Sequence, residues 1–247
     1  MTASQIYLFK DKRFLPLFIV QFCGCFNDNV LKNALIILIT YKLSGLTAYS
    51  TPIMLLMANA IFITPFIIFS GISGQLADKF ERSTLVQLIK LAEVAIVCLA
   101  AYGFFHTDLV ILYLSIGLMG MHSTFFGPLK YSILPDHLTK DELLAANGFV
   151  EAGTFVSILI GTILGGFYTT FASVVMFFML LVSVVGFAAS FFLPKSNNSN
   201  PNLVINPNIF QETLNIVKYA HSKKQVFFPI LGISWFWFMG AALIAQI

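Results

Sequence analysis

The sequence predicts an all-α protein that crosses a membrane several times. Hydrophobic residues make up 58% of the 247-residue chain and charged residues only 10%, whereas a typical soluble domain has about 25% charged residues. The apolar residues form blocks of roughly 20, the length that crosses a hydrocarbon core ~30 Å thick. The formal net charge of +3 does not indicate a nucleic-acid-binding protein.

Seven apolar blocks are predicted as membrane spans, because turn-forming or polar residues separate them. The separators are Ser44-Gly45 with Pro52, the stretch from Gly74 to Arg82, Thr107-Asp108, the stretch from Pro135 to Asn147, Thr169-Thr170, and the long segment 194–224. The spans between them are predicted at residues 14–40, 51–74, 83–105, 109–130, 147–168, 171–193 and 225–247.

Basic residues predict the orientation of these spans, because positively charged loops tend to stay in the cytoplasm. On one side of the membrane, Lys42 is the sole basic loop residue. The N-terminus and the even-numbered loops lie on the other side and are predicted to be cytoplasmic. Their basic residues are Lys10, Lys12, Arg13, Lys79, Arg82, Lys130, Lys140, Lys195, Lys218, Lys223 and Lys224.

The chain is predicted to comprise three parts: a six-helix transmembrane bundle at 1–193, a cytoplasmic linker at 194–224, and the start of a second bundle at 225–247. Apolar residues recur at helical spacing within 208–222, so this part of the linker is predicted to be an amphipathic helix at the membrane surface. Because the seventh apolar block runs to the end of the sequence, we expect the chain to be part of a longer, two-bundle protein.

The first span is unusual because it carries an acid, a base and several amides. A bare charge at the centre of a bilayer costs roughly 2.5–3.5 kcal/mol on insertion scales. Asp28 and Lys32 are four residues apart and can form a neutralising pair that joins helices. Alternatively, their face of the helix lines a polar cavity, which the additional amides favour. The stripe comprises Gln21, Cys25, Asp28, Asn29, Lys32 and Asn33, and it leaves out Asn27.

Other ionisable residues within the spans are candidates for gating or coupling. Lys90 and Glu93 are three residues apart in the third span, where Lys90 either snorkels to the interface or serves a function. Glu151 is predicted about one turn into the fifth span. His122 lies alone in the fourth span, which is more typical of a hydrogen bond between helices than of a proton carrier.

Small residues in the spans are predicted to serve packing. Gly161-x-x-x-Gly165 in the fifth span permits close approach of two helix backbones. Cys23 and Cys25 are interpreted as small buried apolar residues, because no histidine or further cysteine lies near them in the sequence. No metal or cofactor site is therefore predicted.

Three stretches resemble a known family. "GQLADKFER", which contains Asp78 and Arg82, is similar to the G-x-L-a-D-r-x-G-r-k loop of major facilitator superfamily transporters, although Phe80 and Glu81 depart from it. "FNDNVLKNALIILITY" in the first span and "FFGPLKYSILPDHLTKDELLAANGFVEAGTF" at 125–155 are longer and more specific. They resemble the lysophospholipid transporter family, in particular the transporter portion fused to acylglycerophosphoethanolamine acyltransferase and acyl-carrier-protein synthetase domains.

The resemblance implies a fold of twelve helices in two six-helix bundles, each built from 3+3 inverted repeats. This chain would hold the first bundle and a seventh helix. The resemblance also implies flipping of lysophospholipids, mainly lysophosphatidylethanolamine, across a bacterial inner membrane, where an acyltransferase would re-acylate them. The bilayer and such an acyltransferase are the partners it suggests.

The resemblance assigns candidate roles to the polar residues. Asp28 matches the family's acid in the first span and would accept from the lipid ammonium, while Lys32 or Lys130 would meet the phosphate. The amides would replace water lost on crossing. The candidate substrate-binding residues are Asp28, Asn29, Lys32, Asn33 and Lys130, and the candidate gating or coupling residues are Asp78, Arg82, Lys90, Glu93 and Glu151.

Three alternatives remain open. A proton-coupled exporter of the same superfamily would use Asp28, Glu93 and Glu151 as proton carriers. A seven-helix receptor or photoreceptor is disfavoured because the seventh span has no lysine for a retinal Schiff base and follows a long linker. The chain could also anchor a lipid acyltransferase, but its dispersed histidines lack an H-x-x-x-x-D pattern, so it is not predicted to be an enzyme.

Overall fold

A computed structural model describes residues 6–46, 49–196 and 200–244. Six of the helices in this described part are long and apolar enough to cross a membrane, so the chain is an all-α, multi-pass membrane protein. A 3-10 helix at Tyr7–Lys10 precedes α1 (Leu15–Tyr41), α2 (Thr51–Lys79), α3 (Arg82–His106), α4 (Leu109–His137), α5 (Lys140–Gly166), α6 (Tyr168–Ser190), α7 (Ile209–Ser222) and α8 (Lys224–Ile244).

Three helices extend beyond the predicted span ends, because polar residues continue them past the apolar blocks. The segment from Gly74 was predicted as a loop, yet α2 continues to Lys79. The segment predicted as a polar loop from Pro135 to Asn147 is almost entirely helical, since α4 runs to His137 and α5 begins at Lys140. Hydropathy marks the membrane-embedded part of a helix, whereas hydrogen bonding sets its ends.

Side-chain caps set the starts of two helices, α3 and α5. The Glu81 carboxylate accepts hydrogen bonds from the backbone amides of Ser83 and Thr84, so that α3 begins directly after it. Thr139 and Glu142 form a reciprocal capping box at the start of α5. Such caps satisfy backbone amides that have no partner within the helix.

The six spanning helices pack as two related sets of three. The most extensive contacts join α1 to α5 and to α6, α4 to α2 and to α3, and α3 to α6. If α1 corresponds to α4, α2 to α5 and α3 to α6, each of these contacts has an equivalent. For example, the contact of α1 with α5 corresponds to that of α4 with α2. Because three crossings leave the chain on the opposite side of the membrane, the second set runs inverted relative to the first, as the family resemblance implies.

The first helix lies at the centre of this arrangement. One buried apolar cluster surrounds its second half and includes Val30, Leu35 and Met119; another surrounds its first turns and includes Phe14, Leu17 and Phe149. The polar residues of α1 follow the cluster around its first turns and alternate with residues of the other cluster, such as Phe26 and Val30. The fold therefore places them inside the bundle, where they need partners from neighbouring helices.

Residues 206–247 form a second compact unit. Its helix α7 matches the amphipathic helix predicted at 208–222, and the Asn208 side chain caps it by accepting from the Gln211 amide at 3.0 Å. Helix α8 coincides with the seventh predicted span, whose residues 245–247 lie outside the described part. The predicted domain boundaries at 193 and 224, and the surface location of α7, remain predictions.

Candidate functional site

The amides of the α1 stripe mostly hold α1 to α5. Gln21 donates to the Thr154 hydroxyl, and Asn33 donates to Thr162 Oγ1 at 3.2 Å and to the Asn29 carbonyl at 2.9 Å. Asn29 donates to the backbone carbonyl of Cys25, one turn earlier in the same helix, at 2.7 Å. The two asparagines predicted to bind substrate are thus engaged within the bundle.

Asp28 and Lys32 do not form the ion pair that was one of the two interpretations of their spacing. Asp28 Oδ2 accepts a hydrogen bond from Ser123 Oγ of α4 at 2.7 Å, while the Lys32 ammonium lies 4.7 Å from the centre of the Phe62 ring of α2. The spacing of four residues permits a pair but does not enforce one, and here different neighbouring helices offer a partner to each side chain. The interpretation as a self-neutralised pair is therefore wrong.

A polar cavity of about 200 Å³ lies between α1, α2 and α4. Two oppositely charged side chains line it: Asp28, which belongs to the polar stripe of the first span, and Lys130, which the family resemblance selected. Asp28 Oδ1 is buried and has no hydrogen-bond partner within the described residues. Lys32, Asn29 and Asn33 do not line this cavity. Its walls include Gln21, Cys25, Asp28, Phe66, His122, Ser123, Phe126 and Lys130.

A cluster of buried charges lies behind this cavity, between α1, α3 and α4. The Lys90 ammonium is 2.5 Å from Glu93 Oε2, and both side chains are completely buried. Glu93 Oε1 accepts from Asn27 at 2.7 Å, and His122 Nε2 lies 3.2 Å from Glu93 Oε2. Lys90 therefore does not extend to the membrane interface. Asn27, the polar residue outside the α1 stripe, donates a hydrogen bond to this cluster.

Two glycines make room for Lys90. A Cβ atom on Gly24 of α1 would lie 3.0 Å from the Lys90 ammonium nitrogen, and one on Gly186 of α6 would lie 3.6 Å from it and 3.0 Å from Cys23 Cβ. Neither glycine was selected from the sequence, because glycine inside an apolar block has no polar signature. Their positions show that four helices enclose the charge cluster.

Adjacent residues of α4 connect the cavity to the charge cluster. His122 faces Glu93, and Ser123 faces Asp28. The Ser123 hydroxyl is also 3.5 Å from His122 Nδ1. The cavity carboxylate and the buried Lys90–Glu93 pair are thus neighbours in one polar network. Sequence reasoning missed Ser123, since a lone serine in an apolar helix usually bonds to its own backbone.

The candidate gating residues lie in separate places. The buried Arg82 guanidinium is 2.5 Å from Asp136 Oδ2 and 3.9 Å from Asp78 Oδ1, and it donates to the Ala77 carbonyl at 3.1 Å. Ser196, which follows α6, also donates to Asp136. Arg82 thereby links the α2–α3 connection to the ends of α4 and α6. Asp136 was not selected from the sequence.

Lys130 and Glu151 lie deeper in their helices than predicted. Because α4 continues to His137, Lys130 is about two turns from its end, and Glu151 is about three turns from the start of α5. Glu151 accepts a hydrogen bond from the Tyr131 hydroxyl, and the Lys130 ammonium lies 4.7 Å from the centre of the Tyr131 ring. Tyr131 thus stands between the two charged residues.

One protein family matches nearly the whole chain. Residues 17–247 match the Major Facilitator Superfamily. The chain belongs to the major facilitator superfamily. This match includes every residue that lines the cavity around Asp28 and every residue of the buried charge cluster.

Curated relatives of this superfamily member include proteins named lysophospholipid transporter LplT. The one from Salmonella heidelberg is 29% identical over 195 residues, which cover 77% of this chain and 45% of the relative. The one from Salmonella schwarzengrund is 30% identical over the same shares of the two chains. This chain thus spans about half the length of these relatives. No solved structure matches it.

Proposed function

We propose that this chain binds lysophospholipids with a zwitterionic head group, of the lysophosphatidylethanolamine type, and takes part in flipping them across a bacterial inner membrane. The observation that carries the proposal is the presence of Asp28 and Lys130 in one cavity of the bundle. The similarity to proteins named lysophospholipid transporter supports it.

The two charges of the cavity suit the two charges of the head group. A lysophosphatidylethanolamine head group has one ammonium and one phosphate. The unpartnered Asp28 Oδ1 is available to accept from the ammonium, and Lys130 is available to donate to the phosphate. Lys130 is favoured over Lys32 for this role because Lys32 does not line the cavity.

The size of the cavity suits a head group without its acyl chain. Its volume of about 200 Å³ is below the ~300–1,000 Å³ of pockets that enclose a drug-sized ligand. An apolar cavity of about 310 Å³ lies between α3 and α4, and His122 lines both cavities. In this proposal the acyl chain occupies the apolar cavity, whose walls include Ile89, Ile96, Met121 and Phe125.

The remaining candidate residues are proposed to couple head-group binding to helix movement. The Lys90–Glu93 pair joins α3 to α1 and α4 next to the cavity. The Arg82–Asp136 pair, with Asp78 nearby, joins helix ends on the side that carries most of the basic residues. By the positive-inside rule this side, with the N-terminus, is proposed to be cytoplasmic, where an acyltransferase would receive the lipid.

Binding of lysolipids to the purified chain tests the proposal. Asp28→Asn should weaken binding of lysophosphatidylethanolamine by about 10- to 100-fold, the value of one hydrogen bond to a charged group. It should leave binding of lysophosphatidylglycerol, which has no ammonium, nearly unchanged. Lys130→Gln should weaken binding of both lipids because both carry a phosphate. Dissociation constants in detergent micelles provide the measurement.

Asp141→Asn is the matched control, since Asp141 is an exposed acid at the start of α5. We also expect Asp28→Asn to abolish movement of lysophosphatidylethanolamine across vesicle membranes while leaving membrane insertion intact. Full binding and full movement with Asp28→Asn would contradict the proposed role of this residue. Transport that strictly requires a pH gradient would instead favour the proton-coupled exporter.

A further inference from the structure

We propose that the side of the helix bundle that carries the N-terminus has a binding site for one anionic glycerophospholipid of the bilayer. The site is a cavity of about 390 Å³ between the start of α1 and the end of α6. It shares no residue with the cavity that contains Asp28, so it does not depend on the proposed transport function. Its walls include Lys10, Lys12, Leu15, Ile19, Ala189 and Phe192.

The charge of this cavity favours an anion. Lys10 and Lys12 line it, and no carboxylate is among the side chains that do. Asp11, between the two lysines in the sequence, is held by the Arg13 guanidinium at 2.6 Å. Neither lysine forms an ion pair with any residue that the structure describes. Two cations therefore face this cavity without a neutralising partner.

The apolar wall of the cavity favours a lipid over a soluble anion. Leu15 is the first residue of α1, and Ile19 lies about one turn, or ~6 Å, further into the bundle. Phe192 follows the end of α6, and 74% of its side chain is exposed. The lysines thus lie at the water side, where lipid phosphates are found, and the apolar residues lie on the path of an acyl chain.

The absence of an acid among the lining residues distinguishes this site from the central cavity. A zwitterionic phospholipid carries an ammonium as well as a phosphate, and the ammonium would meet only lysines or apolar side chains here. An anionic phospholipid brings no such cation. Each lysine near an anionic lipid surface contributes an affinity factor of about fivefold.

Native mass spectrometry of the full 247-residue chain tests the proposal. The chain is extracted into mild detergent with equimolar phosphatidylglycerol and phosphatidylethanolamine, and the lipids that remain bound are counted. We expect phosphatidylglycerol to be retained in preference. The double variant Lys10→Gln/Lys12→Gln should lower this preference by about 25-fold, and Lys10→Arg/Lys12→Arg should preserve it.

Lys79→Gln/Lys140→Gln is the matched control, because it removes the same charge from the same side of the bundle. Equal retention of both lipids by the unmodified chain would overturn the proposal. Equal loss of phosphatidylglycerol in the two Gln variants would also overturn it, since this indicates a general effect of net charge. Complete displacement of the lipid by inorganic phosphate would show that the lysines recognise the phosphate alone, and it would overturn the proposed selection of a lipid by the apolar wall.

Discussion

Asn27 and Asp28 are adjacent in the sequence, but their side chains serve different parts of the polar network. Asn27 donates to Glu93 in the buried cluster, whereas Asp28 accepts from Ser123 at the cavity. Successive residues of a helix point about 100° apart, so that neighbouring polar residues reach different helices. The polar residues of α1 therefore combine two tasks, holding the bundle together and offering one carboxylate to the cavity.

The buried Lys90–Glu93 pair should be highly sensitive to removal of one partner. Glu93→Gln leaves the completely buried Lys90 ammonium without its counter-ion, which typically costs about 3–5 kcal/mol. Lys90→Met should have a similar cost because it leaves Glu93 unpaired. Denaturant titration in mixed micelles measures the free energy of unfolding.

The double variant Lys90→Met/Glu93→Gln is the critical comparison for this pair. Because it removes both charges, it should cost markedly less than the sum of the two single variants. Additive costs would mean that the two residues act independently, contrary to the 2.5 Å contact between them.

At the scale of single residues, the sequence predicted only part of the candidate site. Asp28 was recognisable because a charge within an apolar run is costly unless it has a function or a partner, whereas Lys130 was selected through the family resemblance alone. Ser123 and Gly24 were not recognisable, since their roles depend on which helix faces them. The Asp28–Lys32 pair, which was the less favoured interpretation, does not form for the same reason: spacing along one helix does not reveal the position of Phe62 on the next.

At the scale of single helices, glycines determine how closely α1 and α5 approach. A Cβ atom on Gly161 would lie 2.7 Å from the Phe26 carbonyl oxygen, and one on Gly165 would lie 2.8 Å from the Val30 carbonyl oxygen. This confirms the packing role predicted for Gly161-x-x-x-Gly165. A Cβ atom on Gly120 would clash with the Phe62 carbonyl oxygen, which shows an equally close approach of α4 and α2.

The glycine contact provides a prediction with a control on the same helix. Gly161→Ala or Gly165→Ala should lower the free energy of unfolding by about 1–3 kcal/mol, because the added methyl group forces the two backbones apart. Gly166→Ala should be neutral or slightly stabilising, since nothing lies within 4 Å of its Cβ position and alanine favours the helix. Equal destabilisation by all three variants would contradict a specific contact with α1.

At the scale of the whole molecule, two polar clusters join the helix ends on the side of the N-terminus. Arg13 contacts Asp11 and Glu142, which ties the segment before α1 to the start of α5. Arg82 with Asp136 forms the other cluster, which Ser196 extends to the end of α6. The six-helix arrangement could be predicted from hydropathy and family resemblance, whereas these contacts between distant segments could not, because they depend on the packed bundle.

These clusters predict a loss of stability in acid. Hydrogen bonds from Arg13 lower the pKa of Asp11 to about 2. Burial raises the pKa of Glu81, but hydrogen bonds from Thr84, Ser196 and Ser83 outweigh it and bring the pKa to about 2. The unfolded chain has the ordinary values of about 4. Both carboxylates therefore stabilise the fold fully above pH ~5, and this contribution should disappear as the pH falls from ~4 to ~2.

Arg13→Gln separates this local effect from a general effect of charge. Without the guanidinium, the Asp11 part of the pH dependence should vanish, an effect of about 1 kcal/mol because Arg13 is partly exposed to solvent. Lys218→Gln removes the same charge from α7, in the other compact unit, and should leave the pH dependence unchanged. Unfolding free energies between pH 6 and pH 2 measure both slopes. If the two variants have the same slope, the Asp11–Arg13 contact does not contribute to stability, and the acid sensitivity must arise from Glu81 and the other carboxylates.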